Sequence, residues 1–488
     1  MKIVLANSIG IDRHGYYIIH SPSRWSEGVR NAYHWFAYYP WELAYLSSLL
    51  KKNTRHQVML VDGCQEQLAA RPYAARILAE HPDMLVVESA TRMIDENVAL
   101  ALQIKEQLGT TLVFVGQHAT AFPERLLAQG IDYVCQGEYE YAVLELARGT
   151  SQERIPGLYP NQRRPLLDIT TLPWPEDDDV SRYAYGFPGE PSSEYHEIQM
   201  YASRGCPMSC SFCVARHVYY QQPNWRPRRV DDVVAEIRYL AGKYPRLKGI
   251  FFDEETHNGS PVFIRELCAG LCAAGLERLR YEAMCDLRLL DDEMLRQMRH
   301  AGYYKVRVGI ESASAIVLDQ MGKTLPPNIV KERLAAVHRA GIATYGTFMF
   351  GSPGANQSED RKTVQLIREL LDDDVLDNLQ ISLCTPQPGT PLYEQALRKG
   401  WLRESQPWSA FDGGGRALLS YPGYRASQIE RVKQRAVLVR DHGYLWQKLR
   451  RRRFFHWIAG ILRRYGIIGS LVKGMRRGVA EVWYHLGR

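Results

Sequence analysis

Short, unbroken apolar runs recur along this chain, each followed by a stretch with helical spacing. The first 150 residues hold five: KIVLAN, QVMLVDG, MLVVESA, TLVFVGQ and DYVCQGE, with amphipathic stretches such as WELAYLSSLLKK and NVALALQIKEQL between them. Runs of Val, Leu and Ile without polar alternation suit strands buried on both faces, as in a parallel sheet covered by helices. Five such units predict an α/β, flavodoxin-like (Rossmann-type), doubly wound domain over residues 1–150. Ligands of such sheets sit outside the carboxyl ends of the strands. Those ends are Asn7 and Ser8, Asp62 and Gly63, Ser89 to Thr91, Gly116 to His118, and Gln136 to Glu138. Small, polar and Gly-bearing, they suit close backbone approach to a large ligand, with ordinary βα turns as the lesser reading.

Residues 151–192 are rich in Pro, Gly and Asp, as in IPGLYPNQRRPLLDITTLPWPEDDD, and predict an extended connector that wraps rather than folds. A second alternating series fills residues 193–400. Strands are expected at EIQMYASRG, LKGIFFDEE, LRYEAMCDL, YYKVRVGIES, ATYGTFMFG and LQISLCTPQ, with helical patterns between them. Six β/α units are too many for an open mononucleotide fold and two short of a full barrel, so a partial TIM-like barrel is expected, with its chemistry at the carboxyl ends of the strands. Residues 401–488 predict a helical, basic C-terminal region. A chain of 488 residues fits this multi-domain division.

Just past the first barrel strand, SRGCPMSCSFCVARH places Cys206, Cys210 and Cys213 within eight residues. With nine cysteines in the chain, a C-x-x-x-C-x-x-C arrangement arises by chance roughly 0.003 times, so the spacing is informative. No charged-then-apolar leader opens the sequence, and the cysteines are too sparse for a disulfide scaffold, which points to the cytoplasm and free thiols. Three thiolates on one loop suit a soft metal. They fit a Cys3His zinc site completed by His217, or a four-iron, four-sulfur cluster held by three cysteines with one iron open. A large barrel needs no zinc staple, which favours the cluster.

The triad, with Phe212 just before its last cysteine, resembles the signature of the radical S-adenosylmethionine (SAM) superfamily. The resemblance implies a 4Fe-4S cluster on Cys206, Cys210 and Cys213 whose open iron binds SAM. It also implies an external electron donor and a 5′-deoxyadenosyl radical that abstracts hydrogen from carbon. Further similarity lies in FFDEE (Asp253, Glu254, Glu255), where the family receives the SAM amino end, and in VGIESAS, whose Gly309, Glu311 and Ser312 match its SAM-contacting segment. FMFGSPG and CTPQPGTPLYEQA resemble late-barrel family motifs. Arg307, on the strand of Glu311, suits either orienting a carboxylate or a structural ion pair.

A flavodoxin-like domain ahead of such a barrel resembles the cobalamin-binding branch of the superfamily. VGQHATAFPERLLAQGIDYVCQGE carries the similarity, as does YYPWELAYLSSLL, although Trp41 and Glu42 replace the family's small residues. The implied cobalamin contacts are Ser89, Thr91, Gly116, Gln117, His118, Thr120, Gly137 and Glu138. Asp12-x-His14 resembles a cobalt-ligating motif, but Tyr17 stands where Gly would be, so cobalamin is expected base-off, without a protein histidine. The implied reaction is methylation of an unactivated carbon by methylcobalamin and the deoxyadenosyl radical. The same resemblance leaves open an oxidative cyclase or rearrangement enzyme like the anaerobic magnesium-protoporphyrin ester cyclase. A zinc-stapled binding protein is the non-enzymatic alternative.

The net charge of +7 is uneven: from Gly443 to Arg488 there are eleven Lys and Arg against one acid, so this end carries +10 and the rest −3. Phe454, Phe455, Ile458, Ile461 and Leu462 share one helical face flanked by arginines, a pattern that suits an anionic membrane surface or packing over the barrel. The expected partner is a small, hydrophobic substrate such as a lipid, isoprenoid or tetrapyrrole, with no nucleic acid. The expected location is cytoplasmic, with peripheral contact at the inner membrane face. Cys384 ends the sixth barrel strand and suits either the active site or a buried apolar position.

Overall fold

The computed structural model describes residues 1–11, 17–19, 37–186, 193–402, 405–413 and 415–450. Asp12, His14 and the apolar stripe from Phe454 to Leu462 lie outside the described residues.

All five strands expected in the first domain form: β1 (Lys2–Ala6), β2 (Gln57–Val61), β3 (Met84–Glu88), β4 (Thr111–Val115) and β5 (Tyr133–Val134). They pair in parallel in the order β2-β1-β3-β4-β5, the doubly wound order of a flavodoxin-like sheet. The apolar runs require this layering: Val4, Leu85, Leu112 and Phe114 pack into one buried cluster, while Ile3, Leu5, Val86 and Val113 join the large core on the other side.

Beyond the connector, the second sheet comprises β6 (Glu197–Met200), β9 (Gly249–Phe252), β10 (Arg280–Cys285), β11 (Tyr303–Glu311), β12 (Ala343–Phe350) and β13 (Asn378–Leu383). A two-residue ribbon of β7 (Ser203–Arg204) and β8 (Arg226–Pro227) lies between the first two. The six strands pair in chain order, all parallel, and β6 does not pair with β13. The result is an incomplete barrel with two open edges. Its interior is accessible: along β12 and β13, alternate residues such as Thr347, Met349, Gln380 and Ser382 are half-buried while their neighbours are buried.

The stretch after residue 150 is largely irregular among its described residues. Its described residues include short 3-10 turns at Gln152–Arg154, Ile169–Thr171 and Arg182–Tyr185, and Arg182 anchors it to barrel-side Glu236 at 2.6 Å. In the C-terminal region the described helix is preceded by an irregular stretch. Residues after Trp401 first form a strap with a short turn at Trp408–Ala410, and helix begins only at Ala426, running to Arg450. Pro407, Gly413 and Gly415 explain the delay, since neither residue type favours a helix interior. Among the described residues no helix is long and apolar enough to cross a membrane.

Candidate functional site

The loop after β6 carries the three cysteines, and backbone contacts fix its course. Ser211 N–H donates to Met321 O at 2.8 Å, Cys213 N–H to Cys210 O at 3.1 Å, and Leu392 N–H to Ser211 O at 3.2 Å. Burial raises all three thiols, Cys213 up to about 12. Three thiols gathered on one loop are a donor set that fits an iron–sulfur cluster, which would hold them as thiolates. His217 is half-buried, with Nε2 3.0 Å from Cys210 O. Among the described residues no three His, Cys, Asp or Glu side chains converge tightly enough for a single metal ion. Three thiols on one loop at the end of a large barrel suit an iron–sulfur cluster, while His217 is engaged with the Cys210 carbonyl. Phe212 packs its ring against the core.

The FFDEE segment at the end of β9 divides its labour. Glu254 is fully buried: Oε2 accepts Ala202 N–H at 2.8 Å and Oε1 lies 2.6 Å from His257 Nδ1, while His257 Nε2 lies 2.7 Å from Tyr303 Oη. The sequence placed Glu254 among the SAM contacts; here both oxygens brace the strand end from within, because a buried carboxylate must be hydrogen-bonded. Asp253 is buried beside the charge of Arg307. Glu255 and Thr256 face the cysteine loop: Glu255 accepts Gly205 N–H at 2.9 Å and the Tyr220 hydroxyl at 3.1 Å, and the Thr256 hydroxyl lies 3.1 Å from Cys206 Sγ.

At the end of β11 the pairing with β12 shifts register between Gly309 and Glu311, and Glu311 takes the left-handed backbone, φ +65°. A side chain on Gly309 would come within 2.6 Å of Glu311 Oε1 and 2.9 Å of Lys323 Nζ, so the pair as placed would have to shift to admit one. Ser312 is buried, its hydroxyl 3.2 Å from Thr363 Oγ1. Arg307 pairs with Glu282 between the rings of Phe251 and Tyr345, which settles it here as an ion-pair partner. Cys384 is buried and its thiol is pushed up to about 12 by that burial, a small apolar filler rather than a nucleophile.

On the first domain, Ser89, Thr91, Gln117, His118 and Thr120 all sit at the carboxyl edge and all are buried. Ser89 Oγ donates to Val115 O at 2.7 Å and accepts Ala119 N–H at 3.0 Å; Gly137 N–H donates to Thr120 Oγ1 at 3.0 Å. Gly116 has φ +92°, and a Cβ there would lie 3.1 Å from both Glu88 Cγ and Ser89 N. His118 Nδ1 lies 3.3 Å from Thr91 Oγ1, and its ring stands edge-on to Trp408 at 5.0 Å. Burial lowers its pKa to about 3, so the imidazole is neutral. Glu138, expected as a cofactor contact, is taken up by cations of the barrel side: Arg226 at 2.8 Å and Arg204 at 3.2 Å.

These pairs fix how the domains meet. Glu140 adds a contact to Arg204 at 2.6 Å, Gln117 Nε2 donates to Gln387 Oε1 at 2.9 Å, and Arg92 reaches Asp412 of the strap at 3.1 Å. The carboxyl edge of the first sheet therefore faces the cysteine end of the barrel. Lys323, Thr256, Gln387 and Trp408 escaped the sequence reading. Lys323 and Trp408 stand alone in unpatterned loops, and Gln387 lies inside CTPQPGTP, a segment noted only as a whole.

Two families match the chain in this same order: the B12 binding domain over residues 36–147 and the radical SAM superfamily over residues 200–367. An uncharacterized methyltransferase of Pyrococcus horikoshii is 25% identical over 456 residues, covering 87% of this chain and 94% of that protein. The anaerobic magnesium-protoporphyrin IX monomethyl ester cyclase of Cereibacter sphaeroides is 24% identical over 473 residues, 91% of this chain and 73% of the cyclase. Among solved structures, the radical S-adenosylmethionine methyltransferase TsrM from Kitasatospora setae, with cobalamin and a [4Fe-4S] cluster bound, shares the fold at TM-score 0.62 and 19% identity, covering 83% of this chain and 79% of that one. With a B12-binding sheet turned toward a cysteine-bearing partial barrel, the chain belongs to the cobalamin-binding branch of the radical SAM superfamily.

Proposed function

We propose that this protein is a cobalamin-dependent radical SAM methyltransferase that transfers a methyl group to an unactivated carbon of a small, largely hydrophobic molecule. The observation that carries the reading is the apposition of the two carboxyl edges, since a methyl donor and a carbon radical must meet in one enclosed space. When bound, the cluster with SAM supplies a carbon-centred radical and the corrin supplies the methyl group.

The chain's own residues position and shield. Cys206, Cys210 and Cys213 hold the cluster; Glu255 and Thr256 brace the loop around Cys206; Glu311 and Lys323 place opposite charges beside Cys210. At the opposite edge, His118 is neutral but wedged between Thr91, Phe122 and Trp408, which supports base-off cobalamin without a histidine ligand. Phe251, Tyr345 and Met349 add apolar surface, suited to a largely hydrophobic substrate, to an interior that also carries Thr347, Gln380, Ser382 and the Arg307–Glu282 pair. An external one-electron donor completes the requirements, and the basic C-terminal segment suits peripheral contact with an anionic membrane face.

The test is anaerobic incubation of the reconstituted protein with cobalamin, a reductant, trideuteromethyl-SAM and extract from a strain lacking the gene. A metabolite gaining a trideuteromethyl group supports the reading. The cyclase alternative, favoured by the similarity across 73% of the Cereibacter sphaeroides enzyme, would instead consume SAM without moving its methyl label.

A further inference from the structure

Gln117 and Gln387 meet across the domain seam, where both side chains are buried, at 0% and 1% exposure. One hydrogen bond joins them, from Gln117 Nε2 to Gln387 Oε1 at 2.9 Å. The remaining amide atoms, Gln117 Oε1 and Gln387 Nε2, are also buried and have no partner among the described residues. Exchanging O and N in both amides preserves the pattern, because a singly bonded amide pair always leaves one donor and one acceptor over. Leaving such groups unmatched in a protein interior is costly, so the pair marks a place where a matching group belongs.

The surroundings say what kind of group. Gln117 lies on the helical turn Gly116–Ala121 at the carboxyl edge of the first sheet. Gln387 opens a turn closed by Thr390 Oγ1, which donates to Gln387 O at 2.6 Å. Two residues on, Leu392 N–H bonds the cysteine loop at Ser211 O. A side chain on Gly389 would come within 3.0 Å of Val218 and 3.2 Å of Ala121, so the turn is wedged between the cysteine-loop side and the first domain. A free donor beside a free acceptor complements a primary carboxamide, which accepts at its oxygen and donates from its nitrogen. The corrin ring carries primary carboxamides around its rim.

We infer that Gln117 and Gln387 form a two-sided clasp for a peripheral carboxamide of the corrin, with one glutamine from each domain. The inference rests on the cobalamin reading above. The clasp makes the barrel a contributor to corrin affinity, a role the B12-binding domain would otherwise fill alone.

The test compares full-length, anaerobically reconstituted wild type with Gln387→Leu by equilibrium dialysis, using hydroxocobalamin, cobinamide, which keeps the rim amides, and cobyrinic acid, which carries carboxylates in their place. Gln387→Leu is expected to weaken hydroxocobalamin binding about tenfold and to narrow the preference for cobinamide over cobyrinic acid. Wild-type affinity in the variant, or an unchanged preference, overturns the clasp while leaving the cobalamin reading intact. Should Gln387→Leu fail to fold, Gln117→Leu and Gln387→Met carry the same comparison. Failure of the wild type to retain hydroxocobalamin overturns the cobalamin reading and the clasp together.

Discussion

Lys323 Nζ lies 3.3 Å from Glu311 Oε1, and the carboxylate it meets is carried on left-handed backbone at φ +65°. A non-glycine residue held there costs roughly 1–3 kcal/mol, a cost that persists only where the surroundings enforce it. A register shift between Gly309 and Glu311 and the half-buried Lys323 ammonium accompany it here. Burial disfavours the charged lysine, but Glu311, Cys210 and Asp286 outweigh it, and the net shift is upward. Lys323 is therefore a fixed cation beside the cysteine loop.

Removing that cation should make the cluster harder to reduce, because nearby charge is one determinant of cluster potential. Lys323→Met is expected to assemble iron and sulfide normally but to show a lower reduction potential in an EPR-monitored titration, with Lys323→Arg close to wild type. An unchanged potential in the methionine variant would show that the ammonium's field does not reach the irons.

Replacing Cys206, Cys210 or Cys213 singly by alanine should abolish the brown chromophore and SAM cleavage while leaving hydroxocobalamin binding within about threefold of wild type. Iron analysis and equilibrium dialysis on the same preparations check both halves. Substantial SAM cleavage by any one variant would contradict the assignment of the triad.

Glu254 separates a bracing role from a binding one. Glu254→Ala strands the Ala202 N–H and the His257 ring in the interior and should destabilise the protein by about 3 kcal/mol. Glu254→Gln keeps an acceptor for Ala202 and should lose much less. Denaturant unfolding measures the ranking, and SAM affinity by dialysis should stay near wild type in the glutamine variant.

Asp360 sets a pH dependence. Burial, with only Tyr424 and Gly351 N–H as partners for Oδ2, raises its pKa to about 6. The folded state thus binds a proton that the unfolded state has released. This contribution is complete below the ordinary carboxylate value and is lost as the pH climbs from about 4 to about 6. A two-unit shift corresponds to about 3 kcal/mol. Asp360→Asn should therefore be more stable than wild type at pH 7 and no more stable at pH 4, as read from thermal melts across that range.

Every strand of both principal sheets falls on a segment expected from the sequence, β13 starting one residue early at Asn378, and the first sheet's strands lie in unbroken apolar runs because a strand buried on two faces has little freedom in composition. Helix ends were less legible. The helix after β12 starts at Gln357, ahead of the KTVQLIRELL pattern, because the Asn356 side chain caps it by accepting the Ser358 and Glu359 N–H groups. Least legible was the division of roles among strand-end acids. Glu254 and Glu255 are adjacent and chemically alike, yet in the bend after β9 one turns into the core and the other toward the cysteine loop. Nothing local encodes that Lys323 closes on Glu311 or that Glu138 meets Arg226, since these distances arise only when separate loops are folded together.

The ion pairs of Glu138 and Glu140 with Arg204 and Arg226 cross the junction that composition suggested as a module boundary. Cutting the gene in the connector would give two fragments with uncompensated charges on opposite raw faces. Its halves are not interchangeable cassettes: grafting this corrin-facing sheet onto another barrel would require transplanting both arginines as well.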